Sequence, residues 1–462
     1  GGQLRDFGAL RHVLEWFERE GADAWYTHTA EELLPVGTKC LCGAANWRKE
    51  SDVLDVWFDS GSTHLVVLSE PDGTWPADVY LEGPDQYRGW FHSSLLVAVG
   101  IRGRAPYKQV VTHGWTLDDK GAPMSKSAGN ALYPTEICEK WGADLLRLWV
   151  ASQDYTADVR ISDAMLGQLA EAYRKIRNTF RFALSNLFDF NPARDEVSPP
   201  ELWELDAWML RRTGTLIGQC RIWNANFEFH RAYHALHDFC VVDLSSFYFD
   251  VLKDRLYTFA PNSRGRRSAQ TVVYRIASAL VRLAAPTLVF TAEEVWKHLP
   301  RSPSEPPSVH LASFPRAEDF EGALDDRCAR NWERLLEVRG EVLKALEQAR
   351  VAKTISGSLE ARVRLSANGE WAGLLDAYAA SLPALFIVSQ VEVVPAGAPG
   401  DAGPLEALRV EIGRAEGTKC ERCWNYSTHV GESLEYPTVC ERCLAALAEI
   451  DSERALGTAK PL

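Results

Sequence analysis

Hydrophobic and polar positions in the first third of the chain predict alternating helices and strands. Apolar residues with helical spacing occur near the start, at Leu10, Val13, Leu14 and Phe17. Residues 52–62 alternate between apolar and polar positions and then turn at Ser60-Gly61, which predicts a strand leading into a ligand pocket. An apolar helical run ends at residues 97–100, and residues 107–112 are typical of a short strand. This order favours an open α/β sheet, in which ligands lie at the carboxyl ends of the strands.

Helical periodicity dominates from residue 164 to about residue 299 and predicts a bundle of roughly four or five helices. One helix carries an apolar stripe, formed by Ala172, Ile176, Thr179, Phe180 and Ala183. The same helix carries a basic strip, formed by Arg174, Lys175, Arg177 and Arg181. After a proline-rich linker at 300–307, a small α/β domain is predicted from an amphipathic helix at 331–352, alternating segments at 358–365 and 387–394, and a loop at 396–400.

Composition indicates an ordinary globular protein. The chain has 462 residues, of which 46% are apolar and 24% charged, and this length suits about three or four domains. The net charge of −13 does not exclude a nucleic-acid partner, because local patches rather than the sum attract nucleic acid. No apolar run reaches the roughly 18 residues that span a bilayer, and no signal segment is present, so we expect a cytoplasmic protein without a membrane partner. The start, Gly1-Gly-Gln-Leu, has no initiator methionine and is expected to be an interior cut.

Two polar clusters lie around the predicted sheet. Glu82, Asp85 and Gln86 follow a strand end, where a carboxylate can hold a substrate ammonium and short polar groups can hold ribose hydroxyls. Asp85 is equally suited to capping the helix that follows. Met124-Ser-Lys-Ser127 places the ammonium of Lys126 between two hydroxyls in a glycine-flanked loop, where it can act as a point charge for a polyphosphate. Such a short match by itself also fits a solvated surface lysine.

The C-terminal segment carries the most specific pattern in the chain. Four cysteines form C-x2-C-x16-C-x2-C: Cys420, Cys423, Cys440 and Cys443. Four thiolates at this spacing can close a tetrahedron around Zn²⁺, and in so short a segment the metal would supply much of the folding free energy. Two disulfides are the alternative, and the cytosolic character of the chain favours zinc.

Other side chains keep two interpretations. Trp57 and Trp90 can line an apolar pocket or belong to the core. The run Arg264-Gly-Arg-Arg267 can contact phosphate, although a solvated loop is more usual. Cys40 and Cys42 are expected to be unpaired buried thiols. Three histidines share a helix face, but no completing ligand follows, and we expect no metal there: His230, His234 and His237.

Several motifs together resemble bacterial class I isoleucine–tRNA ligases over nearly the whole chain. They occur in the family's order at residues 52–62, 81–91, 124–127 (Met-Ser-Lys-Ser), 141–149 and 243–250. The residues Trp57-Phe-Asp-Ser-Gly61 and Asp85-Gln86 fit the isoleucine branch better than its valine or leucine relatives. One position departs from the pattern, since Pro123 stands where the family usually has the first lysine of Lys-Met-Ser-Lys-Ser. The resemblance therefore implies weakened rather than absent phosphate binding.

The resemblance implies a multidomain α/β and all-α protein, divided as follows: the end of an insertion or editing region (1–50), the C-terminal half of a Rossmann-like catalytic domain (51–162), a helical anticodon-binding domain (163–322), a small α/β domain (323–412) and a zinc-binding segment (413–462). It also implies ATP with Mg²⁺, isoleucine and tRNA(Ile) as ligands and a monomeric state. Some family members end a second zinc site with a C-x-C pair such as Cys40 and Cys42.

Roles for individual residues also follow from the resemblance. Glu82, Asp85, Gln86, Trp57 and Trp90 are expected to contact isoleucine or the adenylate. The ATP loops are expected to comprise His113, Gly114, Met124, Ser125, Lys126 and Ser127, with Lys126 catalytic.

The first half of the family's catalytic site has no counterpart in the sequence, because no His-x-Gly-His motif occurs. The chain is therefore expected to be a C-terminal fragment that is inactive alone. Two alternatives stay open: a non-catalytic tRNA-binding module and a valine-specific relative.

Overall fold

The computed structural model describes residues 4–68, 74–125, 127, 129–302, 304–322, 324–395 and 408–455. These residues form many helices and a few short sheets, in two units, Gly1–His113 and Gly114–Leu462. Among the helices in these ranges, none combines the length and apolarity that crossing a membrane requires.

The first unit is built around one parallel strand pair. Its elements are α1 (Phe7–Glu20), α2 (Ala24–Thr27), α3 (Val56–Gly61), α4 (Thr63–Val67), β1 (Ala77–Glu82), α5 (Trp90–Arg102) and β2 (Tyr107–Thr112). β1 and β2 pair in parallel, with Glu82 opposite Thr112, and α5 is the crossover between them. The predicted strand at 107–112 and the helix through 97–100 are confirmed.

The strand predicted at residues 52–62 is wrong, because residues 56–61 form helix α3. The carboxylate of Asp55 accepts a hydrogen bond of 2.8 Å from the backbone N–H of Trp57 and so caps this helix. A cap of this kind satisfies a backbone donor that has no partner within the helix, and here it outweighs the local alternation of apolar residues.

The second unit begins with a short strand pair and continues as a helical bundle. In chain order its first elements are β3 (Thr116–Leu117), α6 (Pro134–Trp141), α7 (Ala143–Ser152), β4 (Val159–Arg160), α8 (Asp163–Ser185), α9 (Pro192–Asp195), α10 (Glu204–Ala225), α11 (Phe229–Asp238), a π-helical segment (Phe239–Tyr248), α12 (Phe249–Thr258), α13 (Arg264–Ala284) and α14 (Val289–His298). The predicted bundle is confirmed, although its helices, α8 and α10–α14, are more numerous than the expected four or five.

Helix α8 shows why the bundle forms. Its N-cap Ser162 accepts a hydrogen bond from the Met165 N–H. The predicted apolar stripe faces the core, where Ile176 and Phe180 are fully buried, whereas every member of the predicted basic strip is exposed. Burying one apolar face while solvating the other is the main stabilisation available to such a helix.

The remaining elements form a small sheet and the C-terminal segment. They are α15 (Asp326–Val351), β5 (Ala361–Ala367), α16 (Gly369–Ala377), α17 (Leu382–Phe386), β6 (Gln390–Pro395), β7 (Arg409–Arg414), β8 (Thr418–Lys419), β9 (Tyr426–Ser427) and α18 (Glu441–Ala455). β5 lies between parallel β6 and antiparallel β7. The two predicted strands are confirmed with shifted starts, while the loop predicted at 396–400 lies outside the described residues. One hydrophobic core runs through the bundle and this sheet, from Ile137 to Val388.

Candidate functional site

Parallel strands of the first unit end side by side at the position of the first polar cluster. Glu82 is the last residue of β1, and its carbonyl accepts a hydrogen bond of 3.3 Å from the backbone N–H of His113, directly after β2. The hydroxyls of Tyr87 and Thr112 lie 3.2 Å apart across the same ends. The carboxyl edge of a parallel pair is where α/β proteins place ligand-binding groups.

Gln86, rather than Asp85, caps the helix that follows this edge. The side-chain oxygen of Gln86 accepts a hydrogen bond of 2.9 Å from the Trp90 N–H at the start of α5. Its amide nitrogen donates to the Asp85 carboxylate at 2.6 Å. The interpretation of Asp85 as the helix cap is therefore wrong. Asp85 lies instead in the 3₁₀ turn Pro84–Arg88, next to Glu82 along the chain.

Trp57 and Trp90 lie in the first turns of α3 and α5. The Trp90 ring stacks on Tyr80 with 4.2 Å between centroids, and its indole N–H donates to the Ser60 carbonyl at 2.9 Å. The Trp57 ring lies against Gly89, where an added Cβ would come within 2.9 Å of it. Trp57 remains 47% exposed, so it is not a core residue, whereas Trp90 is half-buried.

The loop that carries the serines and lysine is organised by a residue that sequence reasoning missed. Asn130 donates to the Asp118 carboxylate at 2.9 Å and accepts from the Ser125 N–H at 3.0 Å. This hydrogen bond from Asn130, together with backbone donors, lowers the pKa of Asp118. The position of Asn130 immediately after Gly129, at the end of the loop, was the available signal.

Within this loop the hydroxyl oxygens of Ser125 and Ser127 lie 3.3 Å apart, and Met124 packs against the hydrophobic core. Pro123 forms an antiparallel bridge with Leu117. Lys126 lies outside the described residues.

Gly114 and Trp115 are held by the segment between α7 and β4. The Gly114 N–H donates to the Tyr155 carbonyl at 2.8 Å, and the Trp115 N–H donates to the Asp158 carboxylate at 2.7 Å. A Cβ on Gly114 would lie 2.3 Å from the Ala157 backbone, so this close approach requires glycine. The Tyr155 hydroxyl donates to the Phe227 carbonyl at 2.7 Å, which links this segment to the turn between α10 and α11.

The four C-terminal cysteines form a buried cluster. Their sulfur atoms all lie within 4.8 Å of one another, and each cysteine is at least nine-tenths buried: Cys420, Cys423, Cys440 and Cys443. None is in a disulfide, so the disulfide alternative is wrong. Hydrogen bonds from Cys440 and Cys443 lower the pKa of Cys423, and the same contacts with Cys423 raise the pKa of Cys440 and of Cys443. Four buried thiols in this geometry fit a tetrahedral Zn²⁺ site.

Local backbone conformation positions the first cysteine pair. Cys420 follows β8, and its N–H donates to the Asn425 carbonyl at 2.8 Å. The Trp424 N–H donates back to the Cys420 carbonyl at 2.9 Å, and Trp424 adopts a positive φ of 67°. This tight turn brings two sulfur atoms to one side, and Cys440 and Cys443 complete the cluster at the start of α18.

The basic run Arg264-Gly-Arg-Arg267 is not a solvated loop. It forms the first turn of α13, where Arg266 and Arg267 are buried. Arg266 donates to both carboxylate oxygens of Asp189, at 2.7 and 3.0 Å. A partner 77 residues away thus makes this run structural.

Two other sequence expectations concern cysteine and histidine side chains. Cys40 and Cys42 are exposed, so the expectation of buried thiols is wrong. The histidines of α11 do not form a metal-ligating group within the described part of the chain, where the four cysteines form such a group.

Three family models match the chain. They are "tRNA synthetases class I (I, L, M and V)" over residues 6–162, "Anticodon-binding domain of tRNA ligase" over 206–365, and "Zinc finger found in FPG and IleRS" over 417–446.

Similar curated proteins extend along nearly the whole chain. Isoleucine–tRNA ligases of Syntrophotalea carbinolica, Symbiobacterium thermophilum and Moorella thermoacetica are 51%, 49% and 47% identical over 97%, 96% and 97% of this chain. These matches cover 48%, 48% and 49% of the relatives, so the chain spans about half their length.

Proposed function

Because the chain belongs to the isoleucine–tRNA ligase family, we propose that it forms part of an enzyme that joins isoleucine to tRNA(Ile) through isoleucyl-adenylate. The observation that carries this proposal is the identity of about half of all positions with curated isoleucine–tRNA ligases, along nearly the entire chain. The valine-specific alternative is disfavoured by the same relatives.

The polar cluster of the first unit handles the amino acid and the adenylate. Glu82 pairs with the isoleucine ammonium, since a carboxylate at a strand end can form a charge-assisted hydrogen bond. Asp85 and Gln86 supply acceptors for the ribose. Trp57 and Trp90 offer flat apolar surfaces for the aliphatic side chain, and the exposed fraction of Trp57 supports this role.

Adenylate formation needs no general base, because the isoleucine carboxylate is already a nucleophile. It attacks the α-phosphorus of ATP and pyrophosphate leaves; a terminal ribose hydroxyl of the tRNA then displaces AMP from the adenylate. The rate depends on positioning and on cations that offset the phosphate charge, which Lys126 and the Mg²⁺ that accompanies ATP supply. The ATP loops contribute further backbone and side-chain groups to ATP binding, from His113, Gly114, Met124, Ser125 and Ser127.

The cysteine cluster holds one Zn²⁺ ion. Zinc bound by four thiolates is structural, because no coordination position is open for a substrate. The burial of all four cysteines supports this assignment. We also propose a cytoplasmic location. The helical bundle binds the anticodon region of the tRNA, in line with the matched anticodon-binding model. We also propose that the protein acts as a monomer.

ATP–pyrophosphate exchange tests this function. The chain is measured alone and after addition of the remaining half of a curated relative, with isoleucine and with valine. We expect exchange only in the complemented protein, with isoleucine preferred, and a large loss in Lys126→Ala. RNA binding without exchange in the complemented protein would favour the non-catalytic module, and a preference for valine would favour the other relative.

A further inference from the structure

Arg160 and Pro123 lie on the same small sheet, on either side of β3. Strand β4 pairs in parallel with β3, and this pairing places Arg160 opposite Leu117. On its other side Leu117 forms the antiparallel bridge with Pro123. Residues directly opposite one another on neighbouring strands project from the same face of a sheet. Arg160 and Pro123 therefore share one face, as the two outer neighbours of Leu117.

The guanidinium of Arg160 lies against the turn at Gly121. A Cβ added to Gly121 would lie 3.0 Å from Nη2, 3.3 Å from Cζ and 3.4 Å from Nε of Arg160. Gly121 also has a positive φ of 81°, a backbone conformation that favours glycine. Glycine at this position thus permits the turn and makes room for the guanidinium, two residues before Pro123.

The turn that Arg160 contacts is held in place by Asp118. The carboxylate of Asp118 accepts hydrogen bonds from the backbone N–H groups of Lys120, at 3.0 Å, and of Ala122, at 2.7 Å. The Asp118 N–H donates in turn to the Ala122 carbonyl at 3.0 Å. Because Asn130 also donates to this carboxylate, both of its oxygens are engaged within the loop. Asp118 therefore fixes the turn and does not neutralise Arg160.

Arg160 has no counter-charge in the part of the chain that the structure describes. Its side chain is exposed, and among the described residues it forms neither an ion pair nor a side-chain hydrogen bond. Arg147 of α7, in contrast, donates to the backbone carbonyls of Pro286 and Thr287. A guanidinium that is placed against a fixed turn and has no internal partner is suited to an anion from outside the chain.

We propose that Arg160 binds the polyphosphate of ATP and supplies there the positive charge that Pro123 lacks. A guanidinium can hold phosphate oxygens through two parallel hydrogen bonds. The inference rests on the proposed function, which assigns Met124 and Ser125, directly after Pro123, to ATP binding. A lysine at position 123 would project from the same face of the sheet as Arg160, so either cation can serve the same phosphates.

ATP–pyrophosphate exchange in the chain complemented with the remaining half of a curated relative tests this inference. The test variant is Arg160→Gln, which removes the charge but keeps a long polar side chain. The matched control is Lys120→Gln, which removes an exposed charge from the same turn. The double variant Arg160→Gln/Pro123→Lys returns a cation to the same face of the sheet. The KM for ATP, the KM for isoleucine and kcat are measured for each protein.

We expect Arg160→Gln to raise the KM for ATP roughly tenfold and to leave kcat and the KM for isoleucine within about twofold, because a contact made before and during the reaction contributes uniform binding. Lys120→Gln should keep the original KM for ATP. The double variant should recover most of the loss, so Pro123→Lys should lower the KM for ATP more in Arg160→Gln than in the original chain. Circular dichroism establishes that each variant is folded.

Four results would overturn the proposal. An unchanged KM for ATP in Arg160→Gln would remove Arg160 from the ATP site while leaving the proposed function intact. An equal rise in Lys120→Gln would show a general charge effect. A higher KM for both substrates, without recovery in the double variant, would assign Arg160 to support of the turn. Absence of exchange in the complemented original chain would refute the proposed function, and the inference would fall with it.

Discussion

The guanidinium of Arg442 donates hydrogen bonds to both carboxylate oxygens of Asp254, one of them at 2.8 Å. This pair joins α18, which carries Cys443, to α12 of the bundle. Arg422, between the first two cysteines, donates to the Thr258 carbonyl at the end of the same helix. The cysteine cluster is therefore docked on the bundle by residues that alternate with its candidate metal ligands.

Asp254→Asn should loosen this docking without affecting the metal. The thiols are unchanged, so zinc content should remain the same, while one charge-assisted pair is lost. Because both side chains are partly exposed, the loss should be only about 1 kcal/mol of local stability. Amide hydrogen exchange in residues 417–455 measures it. Asp250→Asn is the control, since Asp250 pairs with Lys253 on the surface of the same helix; equal exchange in the two variants would argue against a docking role.

Cys440→Ser should abolish zinc binding and unfold the C-terminal segment. The cluster is a separate hydrophobic group, with Val430 and Val439 packed against it, and it has little other apolar support. The bundle has its own large core and should remain folded, as circular dichroism and metal analysis can establish. Cys138→Ser, on α6, should keep the zinc. A full complement of zinc in Cys440→Ser, or a complete loss of helical signal, would contradict this prediction.

Asp189→Asn should destabilise the bundle at neutral pH. Burial raises the pKa of Asp189, but the hydrogen bonds and charge of Arg266, with help from Gln270 and Arg267, lower it below its usual value. Removing the carboxylate leaves Arg266 buried without its ion-pair partner and leaves Arg267 with Asp195 as its remaining carboxylate, at a cost of about 3 kcal/mol.

The pH dependence of this effect follows from the direction of the shift. A carboxyl whose pKa is lowered by folding stabilises the protein above its unfolded pKa of about 4, and this stabilisation disappears as pH falls through the lower folded value. The difference in unfolding free energy between the original chain and Asp189→Asn should thus be constant from pH 7 to about pH 4 and shrink below it. Asp326→Asn, at an exposed ion pair with Arg211, should change stability by less than about 1 kcal/mol.

Pro123→Lys should raise the rate of ATP–pyrophosphate exchange in the complemented enzyme. The Pro123 carbonyl accepts a hydrogen bond from Asn130 at 3.2 Å, and this contact does not depend on the side chain. The substitution should therefore retain the loop while adding a cation near the phosphates. We expect about a threefold increase, equivalent to ~0.7 kcal/mol. Pro123→Gln, which adds length without charge, should show no such gain; an equal gain would assign the effect to loss of the proline ring.

Glu82→Gln should raise the isoleucine concentration required for exchange by roughly tenfold or more. The neutral amide leaves the substrate ammonium without a charged partner, a loss of about 1.5–3 kcal/mol. Asp78→Asn is the control, because Asp78 lies in the same strand but pairs with Lys108 on the surface. Unchanged isoleucine dependence in Glu82→Gln would return Glu82 to a structural role.

Local patterns of the sequence determined the elements whose stabilising contacts are close in the chain. The period of α8 was predictable because it reflects one buried face of a regular helix. The run of β2 was predictable because β-branched and aromatic residues favour strands. The spacing of Cys420 and Cys423 predicted a shared site because a tight turn brings two thiols together whatever surrounds them. The alternation of apolar and polar residues at 52–62 gave a wrong prediction, because the apolar residues of a short helix can be spaced like those of a strand. The Asp55 cap stabilises the helix that forms there.

Tertiary structure decided the roles of residues whose partners are distant. Arg266 and Arg267 belong to a run with the composition of a phosphate-binding loop, yet both are buried and form ion pairs with Asp189. Arg177 and Arg181 belong to an equally basic strip, yet they remain exposed beside a groove formed with α14. The cost of burying a charge depends on whether a counter-charge is within reach, and only the folded chain brings such groups together. Sequence alone therefore identified the positive charges, while packing determined which of them stabilise the fold and which face solvent.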